Sequence, residues 1–549
     1  MPTFDDSNAD ATIATLRNNE EERLVALLAP KYGFPYVNLQ DTPIDVETLR
    51  LFPEEESVRL ECALFTQEKQ NVSVAIINPK HPEIPTILEK LKGMGYTVTL
   101  YLASHQSISH AWERYNDLQR AVAETRGVLD VNEKMIAQFM SDIHSQFDVG
   151  ALLTKIQSEV NVERTTKIIE ILFGGALALR ASDIHIEPEQ KSTRIRYRLD
   201  GVLMDVGTVA RESTHHIVSR LKLLSGLKLN VRSESQDGRF TFDVGTRKIE
   251  IRTSVVPGSF GESFVMRLLD PNSANFSLEK LGLNPRMHEV LEKELRRPNG
   301  AIITTGPTGS GKTTALYSFL QTVHTPELKI ITLEDPVEYK LPGIVQIQVN
   351  RVYTFALGLR AVLRQDPDVI LVGEIRDHEV AETVVHAALT GHLVFSTLHT
   401  NSAAAAFARL IDIGVDPRMF GSAFNIILGQ RLVRVLCPVC KKERAITTEE
   451  QVMIQRTLGV PTAIHSVFDP VGCEACGMNG YKGRVGVFEA ILVDEAVENA
   501  VLSDSREVAI LEAAKPQNIP TMQQDGVFKA LGGMTSLDEL GRVLGLYQN

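Results

Sequence analysis

Three observations predict an α/β fold built on a mostly parallel, doubly wound sheet. The first is Gly306-Pro307-Thr308-Gly309-Ser310-Gly311-Lys312-Thr313-Thr314, which has the spacing of a phosphate-binding loop, G-x-x-x-x-G-K-[ST]. The second is its setting: residues 301–305 are short, apolar and β-branched, as a strand would be, and residues 315–320 carry helical spacing. The third is repetition. Between about residues 281 and 436, strand-like runs at 329–333, 369–372 and 392–397 alternate with helical stretches. Each run leads into acidic or polar residues, and open α/β sheets bind ligands at that edge.

Length and composition bound the rest. At 549 residues the chain exceeds a single core, and three or four domains are expected. The net charge of −12 disfavours nucleic acid or an anionic membrane surface as a bulk partner. No apolar run reaches the length of a membrane span, and Met1-Pro2-Thr3-Phe4-Asp5-Asp6 lacks the basic-then-apolar pattern of a signal peptide, so a cytosolic location is expected. Of five cysteines, four form two C-x-x-C pairs; a reducing compartment favours metal over disulfides, which remain the alternative.

In chain order, residues 1–120 read as a small α/β domain. Residues 20–32 have helical periodicity with Leu24, Leu27, Leu28 and Tyr32 on one face; 72–77 and 96–101 read as strands, and 84–94 as a helix. No catalytic constellation occurs there, which suits a docking or regulatory role. Residues 121–156 read as a helical linker. Residues 157–272 read as a second α/β domain, with a helix at 161–179. Polar and apolar residues alternate at 182–188, 194–198 and 248–252, which predicts half-buried strands with arginines on a wet face. The nucleotide core follows at 281–436, a cysteine module at 437–490 and a largely helical region at 491–549.

The chemistry concentrates at the predicted sheet edge. Glycines let backbone N–H groups turn toward phosphates, the following helix adds the positive end of its dipole, Lys312 reaches the β/γ-phosphates, and the Thr313 hydroxyl suits Mg²⁺. Glu374, after an apolar strand, is placed to hold the same ion. Glu338 and Glu334 are candidates to polarise the attacking water; capping a helix or pairing with arginine is the alternative for both. His399, at a strand end, could sense the γ-phosphate, although such histidines are more often structural; His392 lies seven residues before it. Cys437, Cys440, Cys473 and Cys476 form two knuckles that complete a tetrahedral zinc site. Four thiolates leave no open position, so the zinc would be structural. Cys62 reads as an ordinary buried small residue.

Four signatures in order carry a family resemblance: the loop above, an acidic box (Thr332-Leu333-Glu334-Asp335-Pro336-Val337-Glu338), an atypical Walker B (363–368 through Gly373-Glu374-Ile375-Arg376-Asp377) and a histidine box (Thr390-Gly391-His392 through 396–401). Together they resemble the type II secretion and type IV pilus assembly ATPases. Residues 181–187, Gln236-Asp237-Gly238-Arg239, and Tyr481-Lys482-Gly483-Arg484 followed by Phe488-Glu489 extend the likeness from about residue 160 to the C-terminus; residues 20–120 resemble the family's docking domain more loosely. The resemblance implies a RecA-like core, a preceding PAS-like domain and a homohexamer that hydrolyses ATP with Mg²⁺. Its nucleotide is bound by Gly306, Thr308, Gly309, Ser310, Gly311, Lys312, Thr313 and Thr314. It implies Glu338 as catalytic glutamate, Glu374 as the Walker B acid, and His392 and His399 as the histidine box. Arg252 and Arg267, with Arg239 a weaker third, would reach the nucleotide at a subunit boundary. It also implies a cytoplasmic enzyme peripheral at the inner membrane, working with a platform protein and accessory proteins there, with no nucleic acid and membrane contact through partners only. Pilus-retraction members typically lack both the zinc module and the long N-terminal region, which counts against retraction; pilus extension is the reading, and type II secretion shares every motif and stands as the alternative. The chain departs from the pattern between Asn350 and Thr354-Phe355-Ala356, where it is a few residues short and lacks a glycine.

Overall fold

A computed structural model of the chain describes residues 20–49, 51–68, 71–93, 95–115, 128–130, 138–139, 141–158, 164–244, 247–270, 276–461 and 464–546. The chain forms two compact units, residues 1–129 with 222–233 and residues 130–221 with 234–549. No helix among the described residues is long and apolar enough to cross a membrane.

In the first unit, β1 (Cys62–Glu68) pairs antiparallel with β2 (Asn71–Ile76), and β3 (Thr97–Leu102) lies parallel to β2. Leu64, Val72, Val74, Ile87 and Leu91 are fully buried around this sheet. Cys62 is buried too, at the start of a strand that sequence periodicity did not reveal. The helix over 20–32 forms, but its apolar stripe faces outward: Leu24 is 57% and Leu27 71% exposed, while Ala29 is buried and Val25 packs on the core. Glu22, on the same face as Val25 and Ala29, sets this roll by accepting hydrogen bonds from the Tyr36 and Ser104 hydroxyls. Of the linker expected at 121–156, residues 121–127, 131–137 and 140 lie outside the described residues; a short strand β4 (Val128–Asp130) and a helix (Gln146–Ser158) are seen. The first residues of the helix expected at 161–179 also lie outside them, and the helix observed is Arg164–Ala178.

The second unit opens with β5 (Asp183–Pro188), β6 (Ser192–Leu199), β7 (Val202–Ala210), β8 (Gln236–Val244), β9 (Arg247–Gly258) and β10 (Gly261–Leu269), ordered β8-β9-β10-β5-β6-β7. Burial alternates along β6, as the polar–apolar pattern requires: Ile195 and Tyr197 point into the core, and Arg194, Arg196 and Arg198 point outward.

The larger sheet contains β11 (Gly300–Thr305), β12 (Ile330–Glu334), β13 (Val345–Gln348), β14 (Val369–Val372), β15 (Leu393–Leu398) and β16 (Phe424–Leu436). After β17 (Lys442–Ala445) and β18 (Ser466–Asp469) comes its edge strand, β19 (Tyr481–Leu492). The order is β13-β12-β14-β15-β11-β16-β19, parallel except for the β16–β19 pair. Its central strands are apolar throughout because both faces are covered. Ala301, Ile303, Leu333, Ile370 and Val394 pack with Leu359, Val384 and Phe407 on one side. Ile302, Leu371 and Phe395 pack with Leu291, Leu316 and Phe319 on the other. The cysteine-bearing excursion between β16 and β19 has little core of its own. Its Ile454 and Val467 bury against Val527, Leu537 and Leu540 of the C-terminal helices Met522–Leu531 and Leu537–Leu544. At the shortened loop, Asn350 Oδ1 accepts the N–H groups of Val352 and Tyr353, so a side-chain-closed turn stands where a glycine was expected.

Candidate nucleotide site and cysteine cluster

The phosphate-binding loop leaves the end of β11 and enters the helix Lys312–Val323. Two glycines are required by close approach. A Cβ on Gly306 would stand 2.5 Å from the Gln430 carbonyl oxygen, and one on Gly311, at φ +87°, would stand 2.8 Å from Gln430 Nε2. The loop therefore wraps tightly against β16, with its N–H groups at a helix N-terminus. Lys312 Nζ donates to the carbonyl oxygens of Gly306 (2.7 Å) and Pro307 (3.1 Å). Burial lowers its pKa to about 8; Arg431 adds to this and Glu374 opposes it. Thr313 and Thr314 are exposed at the mouth. The cleft beside them, about 440 Å³, is lined among others by Lys312, Thr313, Glu338, Glu374, His399 and Arg267.

Sheet topology brings the acidic groups there. β14 and β15 are parallel neighbours, so the residues that follow them meet: Glu374 accepts from His399 Nε2 at 3.1 Å and also pairs with Arg376. His392 precedes β15 and sits at the opposite end of the strand, its Nδ1 3.0 Å from the Ala387 carbonyl oxygen. It is a local cap and does not line the cleft. The two candidate water-polarising acids both line the cleft but differ in their partners. Glu334 is 4% exposed and receives hydrogen bonds from the Tyr317 hydroxyl, Thr332 Oγ1 (2.5 Å) and Gln346 Nε2 (3.2 Å). That carboxylate is committed to the fold. Glu338 is half-buried at the cleft, where Arg252 Nη1 meets its Oε2 at 2.7 Å and Arg252 Nη2 meets the Val337 carbonyl oxygen at 2.7 Å. Structure thus joins two residues that the sequence singled out for separate reasons.

Strand register explains why Arg267 faces the cleft and why Arg252 and Arg239 line the hollow that adjoins it at Glu338. Arg239 pairs with Arg252, Arg252 with Arg267, Arg267 with Asp183, and Asp183 with Arg198, a single row across β8, β9, β10, β5 and β6. Like charges directly opposite one another are destabilising. Anions relieve the row: Asp183, 4% exposed, takes Arg267 Nε at 3.1 Å and Arg198 Nε at 3.2 Å, and Glu250 and Glu338 take Arg252. The surplus positive charge suits a phosphate chain. The sequence presents Arg198 in an alternating run and the cleft-lining Arg484 in a family motif, but assigns a role to neither. Arg198 stands in an alternating strand, and that alternation gives the face without naming the partner row; Arg484 stands in β19, where burial does not alternate.

Cys437, Cys440, Cys473 and Cys476 offer sulfurs that all lie within 4.8 Å of one another. The pairs 437/473, 440/476 and 473/476 are 3.9, 3.8 and 3.8 Å apart. Four ligands at about 2.3 Å on tetrahedral corners would be separated by roughly 3.8 Å, so the set fits Zn²⁺. Burial pushes the Cys476 thiol up, but hydrogen bonds from the N–H groups of Cys473 and Gly480, together with those from the Cys440 and Cys473 thiols, bring it to about 7.

A family model described as type II/IV secretion system protein matches residues 158–542, and a second, the MshEN domain, matches residues 32–122. Type II secretion system protein E of Aeromonas hydrophila is 42% identical over 414 residues, covering 74% of this chain and 82% of that protein. Type IV pilus assembly ATPase PilB of Myxococcus xanthus is 35% identical over 527 residues, 95% of this chain and 91% of that protein. Among solved structures, the Legionella pneumophila ATPase DotB matches with a TM-score of 0.52 at 20% identity, over 72% of this chain and 99% of that one, a likeness of fold.

Proposed function

The chain belongs to the type II/IV secretion system protein family, and from that premise we propose that it is an ATP hydrolase driving the assembly of type IV pili by adding pilin subunits at the inner membrane. One observation carries the reading: the lysine of the phosphate loop, the acids after β12 and β14, and Arg267 of the arginine row open onto a common cleft, and Arg252 lines the hollow that adjoins it at Glu338. Phosphoryl transfer to water needs that set and little else. Gly306, Thr308, Gly309, Ser310, Gly311, Lys312, Thr313 and Thr314 hold the phosphates. Mg²⁺, held by Thr313 and Glu374, would neutralise phosphate charge. Glu338 orients the attacking water and takes its proton, His399 steadies Glu374, and Arg252 and Arg267 counter charge developing on the transferred group. Arg252 and Glu338 must part before either can act.

In this reading a RecA-like core at 281–436 is preceded by a PAS-like domain at 157–272. Residues 1–120 would be the docking domain, 121–156 its linker, 437–490 the zinc module and 491–549 the C-terminal region. The working form is a homohexamer in the cytoplasm, peripheral at the inner membrane and engaged with a platform protein. A type II secretion role is favoured by the higher identity to protein E of Aeromonas hydrophila, and pseudopilins would then replace pilins. Lys312→Ala and Glu338→Gln should each abolish steady-state phosphate release; full turnover in both would end the assignment. Stimulation by single-stranded DNA would redirect it to a nucleic-acid motor. Deletion of the gene should remove surface pili, and loss of protein secretion instead would select the second role.

A further inference from the structure

The hairpin between β6 and β7 turns at Asp200 (φ +47°) and Gly201 (φ +85°). Asp-Gly with two positive φ values is a type I′ turn, and its form is dictated locally. Its contact is not local. The Asp200 carboxylate accepts the N–H of Gly483, on β19 of the larger sheet, through Oδ2 at 2.9 Å. From the same turn a chain of bonds runs back to the nucleotide cleft. The Gly201 carbonyl oxygen accepts Arg198 Nη1 at 3.2 Å; Arg198 Nε meets Asp183 Oδ2 at 3.2 Å; Asp183 Oδ1 takes Arg267 Nε at 3.1 Å. Arg267 and Arg484, the latter next to Gly483, line the cleft together.

We propose that Asp200 is a positioning residue: its bond to Gly483 pins the arginine-bearing sheet to the P-loop sheet and, through Arg198 and Asp183, holds Arg267 at the phosphates. The inference rests on the reading of the cleft as an ATP site. A carboxylate accepting a backbone N–H is among the stronger hydrogen bonds, and here it joins two sheets at a point where the chain makes no covalent crossing. A second close approach lies nearby. A Cβ on Gly477, in the second cysteine knuckle, would sit 3.2 Å from the His144 carbonyl oxygen, just before the helix Gln146–Ser158, whose Gly150 in turn lies against β7 at Val206. The β6–β7 end of the smaller sheet is therefore bonded to β19 through Asp200 and backed, through the helix Gln146–Ser158, by the cysteine knuckle, and the arginine row hangs from that seat.

The turn permits a clean test. Asp200→Gly keeps a type I′ turn and deletes the acceptor; Asp200→Asn keeps both the turn and an acceptor oxygen. In the full chain, Asp200→Gly should lower kcat for ATP by about tenfold with KM changed far less, because Arg267 acts on charge that develops only during transfer. Asp200→Asn should restore wild-type turnover. Added to Arg267→Gln, Asp200→Gly should cost almost nothing more, since both remove one effect. Wild-type kcat in Asp200→Gly, equal loss in both variants, or full additivity with Arg267→Gln would each overturn the proposal. If Lys312→Ala also retains activity, the ATP-site reading itself has failed; if Lys312→Ala is dead while Asp200→Gly is unaffected, only this inference has.

Discussion

Lys312 is the residue whose chemistry the sequence names most firmly and whose condition it does not disclose. Its burial against loop carbonyls lowers its pKa to about 8. A bound triphosphate would return it toward the ordinary lysine range of about 10. Between those two values the complex holds a proton that the free protein lacks, so binding takes up a proton and affinity falls as pH rises above about 8. Calorimetry of a non-hydrolysable ATP analogue at pH 8.5 in buffers of different ionisation heat should show net proton uptake, and at pH 6.5 almost none from this group. Glu334 and Glu338 show where residue-level reading ends. Both are acids at the end of one strand and both line the cleft, and only side-chain partners separate them: Glu334 is consumed by Tyr317, Thr332 and Gln346, whereas Glu338 faces Arg252.

At the scale of elements, a short local period was legible and a long return was not. Residues 369–372 were recognisable as a buried strand because four consecutive apolar residues need cover on both faces. The edge strand β19 was not, because its partner β16 lies on the far side of the cysteine excursion. The helix Met522–Leu531 looked inert in sequence but carries a buried polar joint. Asp525, 1% exposed, accepts from Asn284 Nδ2 (3.1 Å) and the Phe488 N–H (2.9 Å) and pairs with Lys529. Asp525→Ala would leave the Lys529 ammonium and two donors buried without a partner. Chemical denaturation should show a loss of roughly 3 to 5 kcal/mol, and Lys529→Met combined with Asp525→Leu should lose less. At the helix over 20–32 periodicity misled: the larger leucines mark the outer face, and Glu22 with its two hydroxyl donors fixes the inner one.

For the whole molecule, two compact units with separate hydrophobic cores predict two unfolding transitions rather than one. Trp112 is the single tryptophan and donates to the Cys62 carbonyl oxygen in the first unit. Its fluorescence should therefore follow only the first unit's transition, while ATP analogues should shift the other; a single transition seen by both probes would contradict this. By itself the sequence determined the phosphate loop, the strand–helix alternation, the cysteine knuckles and the list of acids and arginines, because these are set by short spacings and backbone preferences. Tertiary structure alone decided which of those residues meet. Register lined up Arg239, Arg252, Arg267 and Arg198 across separated strands, the order of parallel strands put Glu374 beside His399 and sent His392 away, and a two-residue turn reached Gly483. Such meetings depend on how strands are ordered and slid against one another, and no local pattern along the chain encodes that.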